Sequence, residues 1–244
     1  MIYQISSKDN KKIKEIMEIR RRMNAKDNDY FIVEGMHLLS MALENDAVVS
    51  VFTLKPIENL KVDQYIINET ILKKISSLQT PRELVAICRK KARKEVTGEK
   101  VLYLDGIQDP GNLGTILRTS LAFGYKDVIL SPTCVSQYNS KVISSTQGAL
   151  FAVNIVNGDI NTLLHLKSNK YQLIATSLKD SHPVERIKLS KKHILIMGNE
   201  GQGVSNDVLE ISDYKTIIPI ENMESLNVAI ATSIMMYILS NKER

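Results

Sequence analysis

The sequence predicts an α/β protein, in which a doubly wound domain with a mainly parallel sheet follows a smaller α+β unit. Two observations indicate the parallel sheet. Short aliphatic or β-branched runs recur from Val101 onward, as expected of strands that are buried on both faces. Stretches with helical periodicity separate most of these runs, which is the alternation that connects parallel strands. The 244 residues give room for one large or two modest domains.

The smaller unit is predicted to span residues 1–89. It starts with a basic helix, whose other face carries Ile13, Ile16, Met17 and Met23 at helical spacing. The elements predicted after this helix are strands at 30–33, 48–54 and 83–89 and helices at 36–43 and 69–76. Residues 90–100 are strongly charged and offer few side chains to bury, so we predict that they form a linker.

The larger domain is predicted to span residues 101–244. Its predicted strands are 101–104, 127–130, 171–176, 193–197 and 215–218, and its predicted helices are 113–123, 138–150, 160–166, 205–211 and 225–240. Gly124 is placed to end a helix, and Ser205 is placed to cap one. The last helix is apolar nearly all round and needs cover on two sides, for which a homodimer is the preferred explanation.

Composition restricts the class of protein. An apolar content of 43% with 24% charged residues is typical of a soluble globular protein, and the amino terminus lacks the apolar core of a signal peptide. The longest apolar stretch, residues 228–239, is too short and too interrupted to span a bilayer, so we expect a cytoplasmic protein without membrane contact. The histidines are scattered and Cys88 and Cys134 lie far apart, which predicts reduced thiols and no metal site.

The charge is unevenly distributed along the chain. The first hundred residues contain 19 Lys and Arg against 14 Asp and Glu, whereas the later residues are balanced at 13 against 13. The basic residues that crowd the first helix are Lys8, Lys11, Lys12, Lys14, Arg20, Arg21, Arg22 and Lys26. Such a helix would attract a polyanion such as RNA, and a solvated helix face is the alternative interpretation.

Three polar segments follow predicted strands in the larger domain, at 105–118, 198–203 and 219–227. Ligands gather at the carboxyl ends of strands in an open α/β sheet, so the three segments predict one composite site. Gly198, Gly201 and Gly203 would let the backbone approach a ligand closely. The segment lacks the Lys-Ser/Thr of a phosphate loop, and its place late in the chain does not suit a dinucleotide fingerprint.

In this order, the three segments closely resemble the signature motifs of the SpoU, or TrmH, branch of the SPOUT RNA methyltransferases. The matching residues are Asn112 and Arg118 in the first motif, Gly-Asn-Glu-Gly at 198–201 in the second, and Ile218-Pro219 with Ser225-Leu226-Asn227-Val228 in the third. Phe31-Ile-Val-Glu-Gly35 and Thr80-Pro81 are similar to the family's small substrate-binding domain, so the resemblance covers nearly the entire chain.

The resemblance implies methyl transfer from S-adenosylmethionine to a ribose 2′-hydroxyl of RNA. It implies a homodimer, a deep trefoil knot in the catalytic domain and a ribosomal-protein L30e-like fold for the smaller domain, which favours 23S ribosomal RNA over transfer RNA as substrate. The implied cofactor contacts are Thr176, Gly198, Asn199, Gly201, Ile218 and Leu226. The expected RNA contacts are Arg118 from the motif and, from the basic helix, Lys11, Lys12, Arg20, Arg21 and Arg22.

Arg118 matches the family's catalytic arginine. Because arginine stays protonated in nearly all protein settings, we favour a role in stabilising the developing alkoxide over a role as the base, and the sequence leaves both open. Asn112, Glu200, Ser225 and Asn227 would orient Arg118 or the ribose. The reaction needs alignment and loss of a proton, and it requires neither a metal nor a covalent intermediate.

The third motif departs from the family pattern. Residues 220–224 lack the usual glycine and are one residue shorter, and Asn222 is the candidate to replace that glycine because asparagine tolerates left-handed backbone angles. Two other classes of protein stay open: an RNA-binding assembly factor that has kept the fold but lost methyl transfer, and a dehydrogenase-like nucleotide-binding enzyme. The sequence does not identify the nucleotide that is modified.

Overall fold

The computed structural model describes residues 1–25, 27–92 and 95–242. They form two compact units: the first comprises Met1–Ala92 and Ser136–Phe151, and the second comprises the described parts of Arg93–Val135 and Ala152–Arg244. In this part of the chain, no helix has the length and apolar character needed to cross a membrane.

The elements are numbered in chain order. The strands are β1 (Ile2–Gln4), β2 (Tyr30–Glu34), β3 (Val48–Thr53), β4 (Asp63–Ile66), β5 (Leu84–Arg89), β6 (Lys100–Asp105), β7 (Asp127–Leu130), β8 (Asn154–Asn157), β9 (Gln172–Thr176), β10 (His182–Pro183), β11 (His193–Gly198) and β12 (Tyr214–Ile217). The helices are α1 (Lys11–Arg22), α2 (Met36–Glu44), α3 (Glu69–Ile75), α4 (Pro110–Ala122), α5 (Ser140–Ser145), α6 (Ile160–Ser168), α7 (Asn206–Ile211) and α8 (Val228–Asn241).

A mixed sheet organises the described residues of the first unit, with five strands in the order β1–β4–β3–β5–β2. β5 pairs antiparallel with β2 and β3, whereas β1, β4 and β3 run parallel. Ile13 and Ile16 of α1 are fully buried, as the periodicity of the basic helix predicts. This unit is therefore an α+β structure, as the sequence indicates.

The segment 136–151 packs within the first unit, although it lies inside the predicted larger domain. Phe31 of β2 lies 5.1 Å from the Tyr138 ring and 5.9 Å from the Phe151 ring, measured between centroids. The predicted domain boundaries stay a prediction. In the structure, residues 136–151 of the predicted larger domain belong to the first unit.

The second unit is built on a parallel sheet, which has seven strands among the described residues. Their order is β10–β12–β9–β11–β6–β7–β8. The central strands β6 and β11 pair along their whole length, from His193 opposite Lys100 to Gly198 opposite Asp105. Most of their side chains are buried, as continuous apolar runs predict. The predicted α/β class with a parallel sheet is confirmed.

Four of the described strands were not predicted from the sequence: β1, β4, β8 and β10. Each has at most four residues, and their sequences mix polar with apolar side chains in place of an apolar run. Pairing with a neighbouring strand, which is a tertiary contact, decides whether such short segments become strands.

The predicted helix at 138–150 is wrong in length. α5 covers Ser140–Ser145 alone, and a 3₁₀ turn follows at Ala149–Phe151. Between them Gln147 and Gly148 have φ angles of 49° and 92°, in the left-handed region that ends a helix.

The ends of the other helices follow local chemistry. α8 starts at Val228 and not at residue 225, because the side chain of Asn227 caps it by accepting a hydrogen bond of 2.9 Å from the amide of Ala229. Gly124 follows α4 with a φ of 82°, as predicted for a helix stop. Ser205 occupies the N-cap position of α7 as predicted, but its side chain makes no capping hydrogen bond.

Asp127 is a buried polar anchor at the start of β7. Its side chain accepts hydrogen bonds from the amides of Gly98 at 2.7 Å and Thr97 at 3.3 Å, and from Nδ2 of Asn154 at 2.6 Å. A buried carboxylate is tolerated when it has such partners. Asp127 therefore joins the predicted linker to β7 and β8, while Arg93 and Lys94 of that linker lie outside the described residues.

We expect Asp127→Ala to lower the free energy of unfolding by about 2–3 kcal/mol, because it removes the shared acceptor of three part-buried hydrogen bonds. Urea titration would measure the loss. The control is Asp9→Ala, at an exposed carboxylate, with an expected change within about 0.5 kcal/mol. Equal midpoints for the two variants would contradict the anchoring role of Asp127.

Candidate active site

The first two polar segments meet because β6 and β11 are neighbours in the parallel sheet. Asp105 ends β6 and is paired with Gly198 at the end of β11. Beyond the strands, Nδ2 of Asn199 donates a hydrogen bond of 2.7 Å to the carbonyl oxygen of Gly106. Its Oδ1 accepts one of 2.9 Å from the amide of Gly201. Asn199 therefore joins the first segment to the second and holds the turn of the second.

Gly198 occupies a crowded backbone position. A Cβ atom at this residue would lie 2.0 Å from the carbonyl carbon of Gly203 and 2.1 Å from the nitrogen of Val204. The crowding arises because Asn199 and Gly203 exchange two backbone hydrogen bonds of 3.0 Å, which fold the segment back over the end of β11. At Gly201, by contrast, a Cβ atom would meet the side chain of Asn199 at 3.6 Å, an ordinary contact.

A chain of hydrogen bonds links all three segments. Nδ2 of Asn112 donates to Oε1 of Glu200 at 3.0 Å, and Oδ1 of Asn112 accepts from Nδ2 of Asn227 at 3.0 Å. Glu200 also accepts from the backbone amides of Asp109 and Gln108, at 3.3 and 3.4 Å. The structure thus brings together three of the five residues predicted to be catalytic.

Glu200 remains ionised in this network. Burial favours the neutral form of its carboxyl group, but the hydrogen bonds from Asn112 and from nearby backbone amides outweigh that effect and lower the pKa of Glu200 below its ordinary value. An ionised carboxylate accepts hydrogen bonds and donates none, so it fixes the amide nitrogen of Asn112 toward itself. The amide oxygen of Asn112 then faces Asn227.

The start of α4 contributes to the site in a way that was not predicted from the sequence. The side chain of Asp109 caps this helix by accepting a hydrogen bond of 2.8 Å from the amide of Asn112, and Pro110 is its first residue. The helix therefore begins three residues before the predicted start at 113, and the amides that face Glu200 immediately precede it. The Asp-Pro pair was the available signal, since this is a favoured way to start a helix.

Arg118 and Ser225, the other two predicted catalytic residues, are not tied into the network. Both are exposed, and within the described residues neither side chain makes a hydrogen bond or ion pair with another. Arg118 lies on α4, the helix that Asn112 helps to start, and α4 packs against α8. Its guanidinium is therefore available to a ligand.

The predicted cofactor residues lie on three adjacent strands. Thr176 ends β9, Gly198 ends β11 and Ile218 follows β12, and these strands have the order β12–β9–β11 in the sheet. The hydroxyl of Thr176 donates a hydrogen bond of 3.3 Å to the carbonyl oxygen of Ile196 in β11. Leu226, from the third segment, is half-buried. The parallel sheet thus places most of the predicted cofactor residues at the carboxyl ends of neighbouring strands.

Asn222 has the left-handed backbone angle that was expected of it. Its φ angle is 62°, in the region where asparagine is the most readily accepted residue after glycine. That Asn222 takes the place of the family's glycine stays a prediction.

The basic helix α1 lies in the first unit. Several of its predicted RNA contacts have partners: Lys12 pairs with Glu15 at 2.8 Å, Arg21 pairs with Glu18 at 2.7 Å, and Arg22 pairs with Asp27. Arg20 donates to the backbone carbonyl oxygens of Ser76 and Lys74, and Lys11 is exposed. Exposed ion pairs are weak, so the paired cations remain available to a polyanion. Lys26 lies outside the described residues.

Comparison with known proteins agrees with this geometry. The model of the SpoU rRNA Methylase family matches residues 99–237, and the model of the MRM3-like substrate binding domain matches residues 10–86. The first match contains all three polar segments, and the second contains most of the first unit's sheet.

Relatives match almost the whole chain. The 23S rRNA (guanosine(2553)-2'-O)-methyltransferase RlmP of Bacillus subtilis is 32% identical over 242 residues, which cover 96% of this chain and 98% of that protein. An rRNA methyltransferase from Sinorhizobium meliloti has a crystal structure that is similar at a TM-score of 0.85, with 25% identity and coverage of 99% and 98%. Its AdoMet-bound structure has a TM-score of 0.83, at the same identity and coverage.

The fold, the three segments and their hydrogen-bond network therefore agree with matches that extend over both units. The chain belongs to the SpoU rRNA methylase family.

Proposed function

We propose that this chain transfers a methyl group from S-adenosylmethionine to a ribose 2′-hydroxyl of 23S ribosomal RNA. The observation that carries the proposal is the Asn112–Glu200–Asn227 network beside the ends of β6 and β11, in a chain of this family. The names of the relatives support the substrate and the cofactor, since one is a 23S rRNA 2'-O-methyltransferase and another binds AdoMet.

The carboxyl ends of β12, β9 and β11 form a surface, here called the cofactor edge, that suits S-adenosylmethionine. Gly198 lets the turn at 199–203 fold back over the end of β11, and the half-buried Ile218 and Leu226 offer apolar surface. Apolar walls with a few polar groups at fixed positions are typical of cofactor sites. When bound, the cofactor supplies a methyl carbon that is already electrophilic because it is attached to a sulfonium.

The protein's task is then to position the ribose and assist loss of its proton. The network holds the amide groups of Asn112 and Asn227 in one orientation, so that they can align the ribose without reorganising during the reaction. Arg118, on the same helix as Asn112, stabilises the alkoxide that develops as the hydroxyl proton passes to solvent water. As a permanent cation with several donors, it also holds an adjacent phosphate.

The first unit supplies the RNA-binding surface in this proposal. Its basic helix α1 carries Lys11, Lys12, Arg21 and Arg22, which would contact phosphates and make binding sensitive to salt. Ribosomal RNA as substrate also implies a cytoplasmic enzyme.

We further infer a homodimer that uses α8. This helix packs against α4 on one side, but Ile230 and Tyr237, seven residues apart and thus on the same face, are 54% and 56% exposed. Ile234 lies between them and is only half-buried. An apolar stripe of this kind is a good candidate for the cover that a second copy would provide. The trefoil knot implied by the family is part of the same proposal, in the segment between β11 and α8.

The direct test is tritium transfer from labelled S-adenosylmethionine to ribosomal RNA from a strain that lacks this gene, followed by mapping of the labelled nucleotide. We expect label on one ribose 2′-oxygen of 23S RNA. RNA from the parent strain, in which the site is already methylated, is the control. Cofactor and RNA binding without any label would support the alternative of a non-catalytic assembly factor.

We expect Arg118→Ala to lower the methyl transfer rate at least about 100-fold, because it removes the cation that stabilises the alkoxide. Cofactor affinity, measured by calorimetry, should change less than about threefold, since Arg118 lies outside the proposed cofactor edge. Lys126→Ala, which removes an exposed cation from the turn before β7, is the matched control. A fully active Arg118→Ala enzyme would contradict the proposed mechanism.

Gly198→Ala should abolish measurable cofactor binding, because its Cβ atom would overlap the backbone of Gly203 and displace the turn. Gln202→Ala, at an exposed residue of the same turn that is not among the predicted cofactor contacts, is the control. Calorimetry with S-adenosylmethionine would compare the two. If both variants bound the cofactor as well as the parent, the proposed site would be misplaced.

The double variant Ile230→Glu, Tyr237→Glu should shift the protein from dimer to monomer, because it places charges in an apolar interface. Light scattering would give the mass in solution. Leu164→Glu, at another exposed apolar residue on α6, should leave the dimer intact. A parent protein with the mass of one chain would argue against the homodimer.

A further inference from the structure

A polar groove in the first unit contains none of the residues of the three segments. Its main cavity has a volume of about 220 Å³ and is lined on one side by Arg20, Glu34 and Ser77 and on the other by Tyr138 and Asn139. Both sides belong to the same compact unit, because the segment 136–151 packs against β2. We call this cavity the Glu34 groove.

Glu34 is a buried carboxylate with unused acceptor capacity. It is 8% exposed, and its Oε1 accepts hydrogen bonds from the amide and the hydroxyl of Ser77, at 2.7 and 2.5 Å. Among the described residues, its Oε2 accepts one hydrogen bond, of 2.5 Å, from the hydroxyl of Ser76. A carboxylate oxygen can accept two hydrogen bonds, so Oε2 has capacity for a donor in the groove. These three bonds hold the carboxylate in one position.

Arg20 provides fixed donors at the same cavity. One terminal nitrogen of its guanidinium donates to the carbonyl oxygens of Ser76 at 2.7 Å and Lys74 at 3.4 Å. Among the described residues, its other terminal nitrogen and its Nε make no hydrogen bond or ion pair. Arg20 is therefore held by the backbone next to Glu34 without forming an ion pair with it. This explains why it differs from its neighbours Arg21 and Arg22, which pair with carboxylates.

The opposite side of the groove is aromatic and amide-bearing. The Tyr138 ring is held by Phe31, at 5.1 Å between centroids, and by the ammonium of Lys90, at 4.6 Å from its centroid. Asn139 next to it caps α5 with its side-chain oxygen, which accepts a hydrogen bond from the amide of Lys141 at 2.9 Å. The amide nitrogen of Asn139 is thereby directed away from the helix end.

We propose that the Glu34 groove binds one unpaired guanine base of the RNA substrate. Sequence-specific RNA recognition mostly uses unstacked bases, which lie against aromatic or guanidinium groups and are read by hydrogen bonds at their edges. Guanine carries a 2-amino group that can donate to the one open acceptor site of Oε2. Its O6 and N7 are acceptors that match the remaining donors of Arg20. Adenine, cytosine and uracil lack this combination of a 2-amino donor with the O6 and N7 acceptors.

The inference rests on the proposed RNA substrate and goes beyond it, because it assigns base recognition to the first unit. There the exposed cations of α1 contact phosphates, which position the RNA but carry no sequence information. The Glu34 groove would supply the sequence information. It places the recognised base at a site built from both the amino-terminal residues and the inserted segment 136–151.

The test is binding of the full chain to an unstructured uridine oligonucleotide that contains a single central guanosine. The same oligonucleotide with inosine, which lacks the 2-amino group, is the comparison. We expect the inosine oligonucleotide to bind about five- to tenfold more weakly, as one good base contact commonly provides. Equal affinity of the two oligonucleotides for the parent protein would overturn the proposal, and this comparison requires no variant to fold.

Variants then locate the effect. Glu34→Gln should reduce the preference for guanosine over inosine to within about twofold, while Glu15→Gln, at an exposed carboxylate of α1, keeps it. Arg20→Lys should weaken guanosine binding more than Arg21→Lys does, because lysine cannot present the guanidinium's paired donors. Thermal unfolding accompanies each variant. If Glu34→Gln unfolds, the comparison of Arg20→Lys with Arg21→Lys locates the effect by itself.

A photo-crosslink gives the position directly. An oligonucleotide with 6-thioguanosine at the central position should crosslink to peptides that contain Tyr138 or Met23, which both line the cavity. Crosslinks confined to other peptides would overturn the groove while leaving methyl transfer to 23S RNA intact. If the parent protein neither methylates 23S RNA nor binds either oligonucleotide, the proposed function itself fails, and the two failures can be told apart.

Discussion

The parallel alignment of the strands in the second unit is the constraint on which the rest of the site depends. Parallel strands all end at the same edge, so the polar segments that follow β6, β11 and β12 are brought together although a hundred residues of chain separate the first from the last. The register is equally important. Gly198 pairs with Asp105, so the next residues, Asn199 and Gly106, lie at the same level of the sheet. The side chain of Asn199 can therefore donate a hydrogen bond to the carbonyl oxygen of Gly106.

Amide side chains then convert proximity into fixed geometry. Asn199 joins two loops through backbone groups, and Asn112 joins the other two members of the network because an amide can donate and accept at the same time. Glu200 sets the direction of this chain of bonds, since a carboxylate with a lowered pKa accepts hydrogen bonds without donating any. Arg118 makes no side-chain hydrogen bond or ion pair with the described residues, which in the proposed mechanism leaves its charge for the RNA. Fixed amides on a helix that also carries this cation suit the stabilisation of charge that develops in the proposed reaction.

The first unit has two kinds of cation, which differ in the groups that hold them. Three cations of α1, namely Lys12, Arg21 and Arg22, are paired with carboxylates on the same helix or shortly after it. Arg20 is instead held by backbone carbonyl oxygens and lines the same cavity as the buried Glu34. The first kind of cation can exchange partners readily and suits contacts to phosphates. The second kind has a fixed position and suits recognition of a particular group. The segment 136–151 completes this second site, so residues that follow β7 in sequence contribute to the first unit's chemistry.

The sequence by itself determined the class of fold, the three segments and most of the residues that carry the chemistry. Apolar runs at β6, β7, β9 and β11 identify strands because burial on both faces demands an uninterrupted apolar run. Tertiary structure decided the rest. β4 and β10 are strands because a neighbour pairs with them, and the segment 136–151 joined the first unit through contacts with Phe31, which no local pattern encodes. Motif matching grouped Asn112, Glu200 and Asn227, but their shared hydrogen bonds depend on distances between residues far apart in the chain, and only the folded structure fixes those distances.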